Sequence, residues 1–177
     1  TPDHSMATYA GSVDRTALAK RVIPPHPVLS LLVVAGFVGF LYVVEAFDVA
    51  TGGSLEGDGV RPRDFSEWDN LLWMPLIHGD WSHLTGNAVP LLLLGFLATS
   101  GGLKQFFQTT AVIWLTSALG VWVFGSPGSH IGASGLVFGF LAFLLVRGIF
   151  ARSWLQLLIA VGVFALYGAA LWGVLPG

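Results

Sequence analysis

Apolar residues along this chain are grouped in five blocks, each close to the length that a helix needs to cross a bilayer. The blocks cover roughly residues 28–47, 83–100, 106–124, 132–150 and 153–175. A hydrocarbon core about 30 Å thick requires about 20 such residues in helical form. The pattern therefore predicts an all-α, polytopic membrane helix bundle, in which residues 28–177 form one membrane domain.

Two polar stretches complete the predicted organisation. Residues 1–27 are polar, end in several prolines and are predicted to form a mobile N-terminal tail. Residues 48–82 form a long loop after the first span, rich in glycine and charge over residues 51–64. Within this loop the pattern predicts a short amphipathic helix at the membrane interface. Its apolar positions are Phe65, Trp68, Leu72 and Leu76.

Composition agrees with a membrane protein and excludes several other classes. Hydrophobic residues make up 54% of the chain and charged residues 10%, far from the composition of a soluble domain. The net charge is -2 and no basic run occurs, so nothing indicates binding to nucleic acid. The chain has no cysteine, so its chemistry involves neither disulfides nor thiolates.

The positions of lysine and arginine predict the orientation in the membrane. Under alternating threading, six of them fall on one side: Arg15, Lys20, Arg21, Lys104, Arg147 and Arg152. The other side receives only Arg61 and Arg63, among several acidic residues. The N-terminus is thus predicted to be cytoplasmic, and the loop 48–82 to face outward. Glu45 and Asp48, near the outer end of the first span, are predicted to be interfacial, with a buried role for Glu45 as the alternative.

A serine between small residues opens the fourth span, in the run Gly132-Ala133-Ser134-Gly135. A helix N-terminus offers unpaired N–H groups and the positive end of the helix dipole, which favour a serine alkoxide and a developing oxyanion. Gly132 and Gly135 would let another backbone or a substrate approach closely. The alternative is ordinary helix packing, because Gly135 and Gly139 form a small-xxx-small pair.

A second polar cluster opens the second span. His83 and Asn87 are four residues apart, so they share one helical face, and both can donate hydrogen bonds to an oxyanion. The second and fourth spans both enter from the outer side, which places these two side chains and Ser134 at a similar depth. Polar groups inside spans are candidates for function. Together they predict a serine-nucleophile site within the membrane.

Histidine spacing leaves two further interpretations open. A zinc site would use His78, His83 and His130, with Asp80 as a possible ligand. The spacing of five between the first two does not place them on one helical face, and no cysteine assists, so zinc is disfavoured. His130 precedes Ser134 by four residues and is interpreted as a loop residue, with a substitute general base as the alternative.

The motifs His78-xxxx-His83-xxx-Asn87 and Gly132-Ala-Ser134-Gly, at this spacing, resemble those of the rhomboid family of intramembrane serine proteases. The resemblance extends over about residues 28–177. It implies a six-helix bundle with a water-accessible active site sunk below the outer surface. It also implies that the reaction needs no metal and no organic cofactor.

The resemblance assigns a role to each residue of the two motifs. Ser134 matches the nucleophile, and His83 and Asn87 match the residues that bind the oxyanion together with the Ser134 backbone N–H. His78 matches a mostly structural histidine near the loop. Phe138 falls where the family has an aromatic ring stacked on the catalytic base. Structural positions near the site are thus His78, Gly132, Gly135 and Phe138.

The chain departs from the family pattern in three places. The family base is a histidine in a sixth span, and this sequence ends before it. Five of six core spans are therefore present, and the chain as given is expected to be inactive. Thr99 stands where many members have glutamate, and the outer loop lacks the Trp-Arg pair that many members have.

The sequence thus predicts an intramembrane serine protease that cleaves peptide bonds in or beside transmembrane segments of substrate proteins in the lipid bilayer. The alternative is a non-catalytic rhomboid-like protein that binds transmembrane helices. A small transporter or channel ranks last, because neither an inverted repeat nor broken helices are visible. No pattern indicates an oligomeric state.

Overall fold

The computed structural model of the chain describes the backbone of residues 19–172 and the side chains of residues 19–166. Five long helices form a bundle: α1 (Pro27–Ala50), α2 (Trp81–Ala98), α3 (Leu103–Phe124), α4 (Ser134–Phe150) and α5 (Trp154–Trp172). They coincide with the five apolar blocks to within a few residues, and residues 19–172 contain no strand. The prediction of an all-α polytopic bundle is confirmed.

The five helices differ in whether they are long and apolar enough to span a membrane. Three helical segments are long and apolar enough to cross a membrane: Pro27–Ala50, Trp81–Gly101 and Leu103–Phe124. Helix α4 and the part of α5 with described side chains are apolar but shorter. Residues 1–18, most of the predicted tail, and residues 173–177, the end of the predicted fifth span, lie outside the described residues. The division into a tail (1–27) and a membrane domain (28–177) stays a prediction.

The buried core lies between α2 and α4, with α1 packed against α2 and with α3 and α5 packed against α4. Leu84, Leu91 and Leu94 on α2 and Leu136 and Phe140 on α4 are each no more than 2% exposed. The helix that carries His83 and Asn87 is therefore packed directly on the helix that begins with Ser134.

Small residues set the distance between α4 and α3. A methyl group on Gly139 would lie 2.0 Å from Ile113 Cγ2, and one on Gly135 would lie 2.8 Å from Ser117 Cβ. Both distances are too short for a carbon atom, so these two glycines permit the close approach of the helices. The predicted small-residue pair is thus a packing surface for α3.

Local sequence explains where α2 begins and ends. The Asp80 side chain accepts the His83 N–H at 2.7 Å, which caps the first turn. After Ala98 the chain makes a 3₁₀ turn over Thr99–Gly101 and then turns sharply at Gly102, whose φ is +98°. A left-handed φ favours glycine at this position. The resulting short connection makes α2 and α3 neighbours.

The connection between α1 and α2 is packed against the bundle. It contains a 3₁₀ turn over Glu56–Asp58, and Val60 is buried and pairs with His130 through two backbone hydrogen bonds of 2.9 Å. The predicted amphipathic helix over 65–76 is shorter than expected, with one α-helical turn over Asn70–Trp73 followed by a 3₁₀ turn over Met74–Leu76.

Two local features limit that helix. The Asp64 carboxylate accepts hydrogen bonds from the backbone and the hydroxyl of Ser66, which stabilises a turn in place of a first helical turn. Pro75 lacks an N–H and disfavours continuation of the α-helix. The apolar side chains of Phe65, Trp68 and Leu72 are exposed, as expected for an interfacial element.

The two acids at the end of α1 correct one prediction. Glu45 and Asp48, predicted to be interfacial, are each only 3% exposed, so the buried alternative for Glu45 is the correct one. They follow Leu41 at helical spacing on one buried face of α1. The Asp48 carboxylate accepts the Leu55 N–H at 2.7 Å and so fixes the start of the connection.

Candidate active site

The residues just before α4 lie against the first turns of α2. Gly132 has a φ of +113°, and a methyl group there would lie 2.7 Å from His83 Nε2 and 3.5 Å from Asn87 Nδ2. Both the backbone conformation and the lack of space therefore require glycine. Two residues later the chain reaches Ser134, the first residue of α4.

Two hydrogen bonds fix the peptide groups that precede the serine. The Gly132 N–H donates to the Met74 carbonyl at 2.9 Å. The Ala133 N–H donates to Nε2 of His78 at 3.2 Å. The backbone leading to Ser134 is thus held by two residues of the α1–α2 connection, Met74 and His78.

His78 can accept that bond because it is neutral. Its side chain is 1% exposed, and its ring centroid lies 5.1 Å from that of His83. Burial, and then the nearby His83, lower the pKa of His78 from 6.5 to about 4, while the Leu76 backbone opposes the shift. A neutral ring that accepts at Nε2 carries its proton at Nδ1. Through this hydrogen bond, His78 orients the backbone N–H of Ala133, the residue before Ser134.

Several donors at the site have no partner. The Asn87 side chain is 7% exposed, and its Nδ2 is buried without a hydrogen-bond partner. Ala133, at the N-cap of α4, provides no side-chain cap, and the N–H groups of Ser134 and Gly135 make no hydrogen bond within residues 19–172. A buried amide donor without a partner costs about 1–3 kcal/mol. Such donors can bind an anionic oxygen.

The serine hydroxyl itself makes no hydrogen bond in the described part of the chain, and the side chain is partly exposed. His130 does not bond to this hydroxyl; its Nε2 donates to the Ser126 carbonyl at 2.9 Å. This contact supports the interpretation of His130 as a loop residue. Phe138, one turn after Ser134, is half-buried and packs on the core.

The α1–α2 connection braces the segment that leads to the serine. Asn70 is buried, and its side chain donates to the Gly59 carbonyl at 3.1 Å. A methyl group on Gly59 would lie 2.2 Å from Ser129 Oγ and 2.9 Å from the His130 carbonyl oxygen. Gly59 therefore fits closely against the chain that enters α4, next to the backbone pair of Val60 and His130.

The structure thus brings together most of the residues that the sequence singled out. The His78 ring contacts the His83 ring and bonds to Ala133, His83 and Asn87 lie beside Gly132, and Ser134 follows Gly132 by two residues. Gly135 packs on α3 instead. Among residues 19–166, no group of three or more histidine, aspartate or glutamate side chains could hold a metal ion.

Sequence reasoning missed two supports of the site, the Met74 carbonyl and Asn70. A backbone acceptor leaves no mark in a sequence. Asn70 did leave a signal, because it is a neutral polar residue next to the apolar pair Leu71 and Leu72.

Comparison with known proteins gives a family match and several relatives. A family model described as "Rhomboid domain" matches residues 66–177. An uncharacterised protein of Mycobacterium tuberculosis is 41% identical over 168 residues, which cover 92% of this chain and 70% of that protein. A Mycobacterium bovis protein, also uncharacterised, shows the same figures. One from Mycobacterium leprae is 40% identical over 146 residues, 79% of this chain and 58% of that protein. No solved structure matches.

Proposed function

We propose that this chain, which belongs to the rhomboid family, supplies the nucleophile and the oxyanion site of an intramembrane serine protease. The chain is an integral membrane protein. The observation that carries the proposal is the set of donors without partners around Gly132. Asn87 Nδ2 lies against this residue, and the free N–H of Ser134 follows it. These donors suit an oxygen that becomes negative during acyl transfer.

The reaction would proceed in two steps. In the first, Ser134 Oγ attacks the carbonyl carbon of a peptide bond, and its proton passes to a general base. The carbonyl oxygen becomes negative and accepts hydrogen bonds from Asn87, His83 and the Ser134 N–H. The C–N bond then breaks as the base returns the proton to the leaving amine. In the second step, water attacks the acyl-enzyme by the same route, releasing the acid and restoring the hydroxyl.

The general base would come from outside the described residues. In residues 19–166 no histidine bonds to the Ser134 hydroxyl. By the rhomboid resemblance this base would be a histidine of a sixth span. The second candidate function is binding of transmembrane helices without cleavage, which the retention of Ser134, His83 and Asn87 together disfavours.

A reconstituted assay would distinguish the two functions. The chain in lipid nanodiscs would receive a labelled single-span substrate, alone or with a sixth-span segment that carries a histidine. We expect no cleavage by the chain alone and cleavage with the added segment. Ser134→Ala should abolish that cleavage, and Asn87→Ala should slow it by roughly 10²–10³-fold. Substrate capture without cleavage in both mixtures would support the binding function instead.

We further propose that the N-terminus faces the cytoplasm and that Ser134 lies near the outer surface. The support is the distribution of cations, with five of those in the described residues at one end of the bundle. These five are Lys20, Arg21, Lys104, Arg147 and Arg152. Loops that carry an excess of lysine and arginine remain on the cytoplasmic side.

A further inference from the structure

At the end of the bundle opposite Ser134, a short piece of the amino-terminal segment is bound by side chains of the helices. This piece, residues 19–22, is named the strap here. It lies where the end of α2, the last turn of α4 and the first turn of α5 come together. Two polar side chains hold it, Arg147 on α4 and Gln156 on α5.

Both side chains bind backbone carbonyls of the strap. Gln156 Nε2 donates to the carbonyls of Ala19 and Arg21 at 3.1 and 3.0 Å. Arg147 donates to the same two carbonyls, both at 3.3 Å, and also to Ser100 Oγ at 2.5 Å. The strap thus connects α4 and α5, and Arg147 connects it further to the turn after α2.

The buried side chain of Gln156 links the strap to the first turn of α5. With the strap in place Gln156 is 6% exposed, so its amide donates to the strap carbonyls and not to water. Removing the strap would break both hydrogen bonds and uncover a polar side chain between two apolar helices. Beside it, a methyl group on Gly148 would lie 3.1 Å from Leu157 Cγ and 3.3 Å from Gln156 Cβ. The first turn of α5 is therefore packed closely on α4 where the strap binds.

We propose that the strap is a built-in clamp that fixes the first turn of α5 to α4. A displacement of the amino-terminal segment is then transmitted to α5. The clamp recognises main-chain carbonyls, while the side chains of Lys20 and Arg21 stay exposed and able to meet the membrane surface or another molecule.

Crosslinking tests the position of the strap directly. The chain has no cysteine, so introduced thiols are the only ones present. Val22 and Ile159 line the same small cavity together with Leu97. Val22→Cys with Ile159→Cys should therefore be joined efficiently by a short thiol-specific crosslinker in nanodiscs. Val22→Cys with Val112→Cys, on an exposed face of α3, is the control pair and should not be joined.

Hydrogen exchange then tests the coupling to α5. Gln156→Met keeps an unbranched side chain of similar length but removes the donor. We expect it to lower the crosslinking yield and to speed amide exchange in the first turns of α5 by roughly tenfold, as expected for the loss of one or two hydrogen bonds. The matched control is Gln108→Met on the exposed surface of α3, which should change neither quantity.

Arg147→Lys gives a second, independent variant, because an ammonium group keeps the charge but cannot reproduce the spread contacts of a guanidinium. Like Gln156→Met, it should lower the crosslinking yield and speed amide exchange in the first turns of α5, but both changes should be smaller. Absence of the Val22–Ile159 crosslink would overturn the placement of the strap. Loss of that crosslink in Gln156→Met with unchanged exchange in α5 would overturn the coupling.

Discussion

Substitution of Gly132 by alanine tests the central contact of the site. Two separate penalties apply to this change. A non-glycine residue at a φ of +113° is strained by about 1–3 kcal/mol. The new methyl group would also lie 2.7 Å from His83 Nε2 and 2.8 Å from His83 Cε1, and crowding of this kind costs about 1–3 kcal/mol. We therefore expect Gly132→Ala to lower the free energy of unfolding by about 2–6 kcal/mol.

Gly128 provides a matched control for the backbone strain. Its φ is +135°, but a methyl group there would meet no atom within 4 Å. Gly128→Ala should therefore cost only the conformational part, about 1–3 kcal/mol. The excess for Gly132→Ala over Gly128→Ala isolates the contact with the histidine ring. Equilibrium unfolding in mixed detergent micelles, followed by tryptophan fluorescence, measures both.

A double-mutant cycle with His83→Ala identifies the contact. Removing the imidazole frees the space that the methyl group needs, so Gly132→Ala should cost about 1–3 kcal/mol less in the His83→Ala background. Equal destabilisation by Gly132→Ala and Gly128→Ala, together with no coupling in the cycle, would refute the contact between this glycine and α2. Gly132 would then not lie beside His83 and Asn87, and the proposed oxyanion site would not form there.

Three further predictions concern protonation, packing and orientation. Because folding lowers the pKa of His78 from 6.5 to about 4, only the unfolded state gains its proton between these values. The free energy of unfolding should therefore fall by a total of about 3 kcal/mol as pH drops through this window, and His78→Gln should flatten the dependence. Gly139→Ala should destabilise the bundle by about 1–3 kcal/mol, whereas Gly36→Ala, with open space, should not. An impermeant maleimide on intact cells should label Ser54→Cys but not Lys104→Cys, and the reverse pattern would invert the proposed orientation.

The sequence was sufficient to predict where the helices lie but not which face of each helix is buried. Apolar blocks ended by glycine, proline or capping residues predict where helices lie, because a bilayer demands both length and apolarity. A helix that is apolar all round has no stripe that tells which side is buried. For this reason the burial of Glu45 and Asp48 was not predictable, since it depends on the packing of α1 against α2.

The candidate site was predictable as a set of residues but not as a set of bonds. Spacing placed His83 and Asn87 on one face, and the threading of spans put Ser134 at the same depth. The hydrogen bond from Ala133 to His78 depends on how a loop folds, which periodicity does not determine. The same holds for the strap, whose acceptors are backbone carbonyls that every residue carries.

The bond between His78 and Ala133 also has a consequence for biosynthesis. It joins positions 55 residues apart. The same later segment lies beside Asn87 Nδ2, through Gly132. Helix α2 ends at Ala98, 35 residues before Ala133, so at translation rates of about 5–20 residues per second it is complete roughly 2–7 s before its partner segment emerges. During that interval the polar groups of α2 must remain in the insertion machinery or near water, because lipid offers them no partner. Ribosome-bound chains arrested before residue 134 should therefore expose α2 to aqueous reagents, and chains arrested after α4 should protect it.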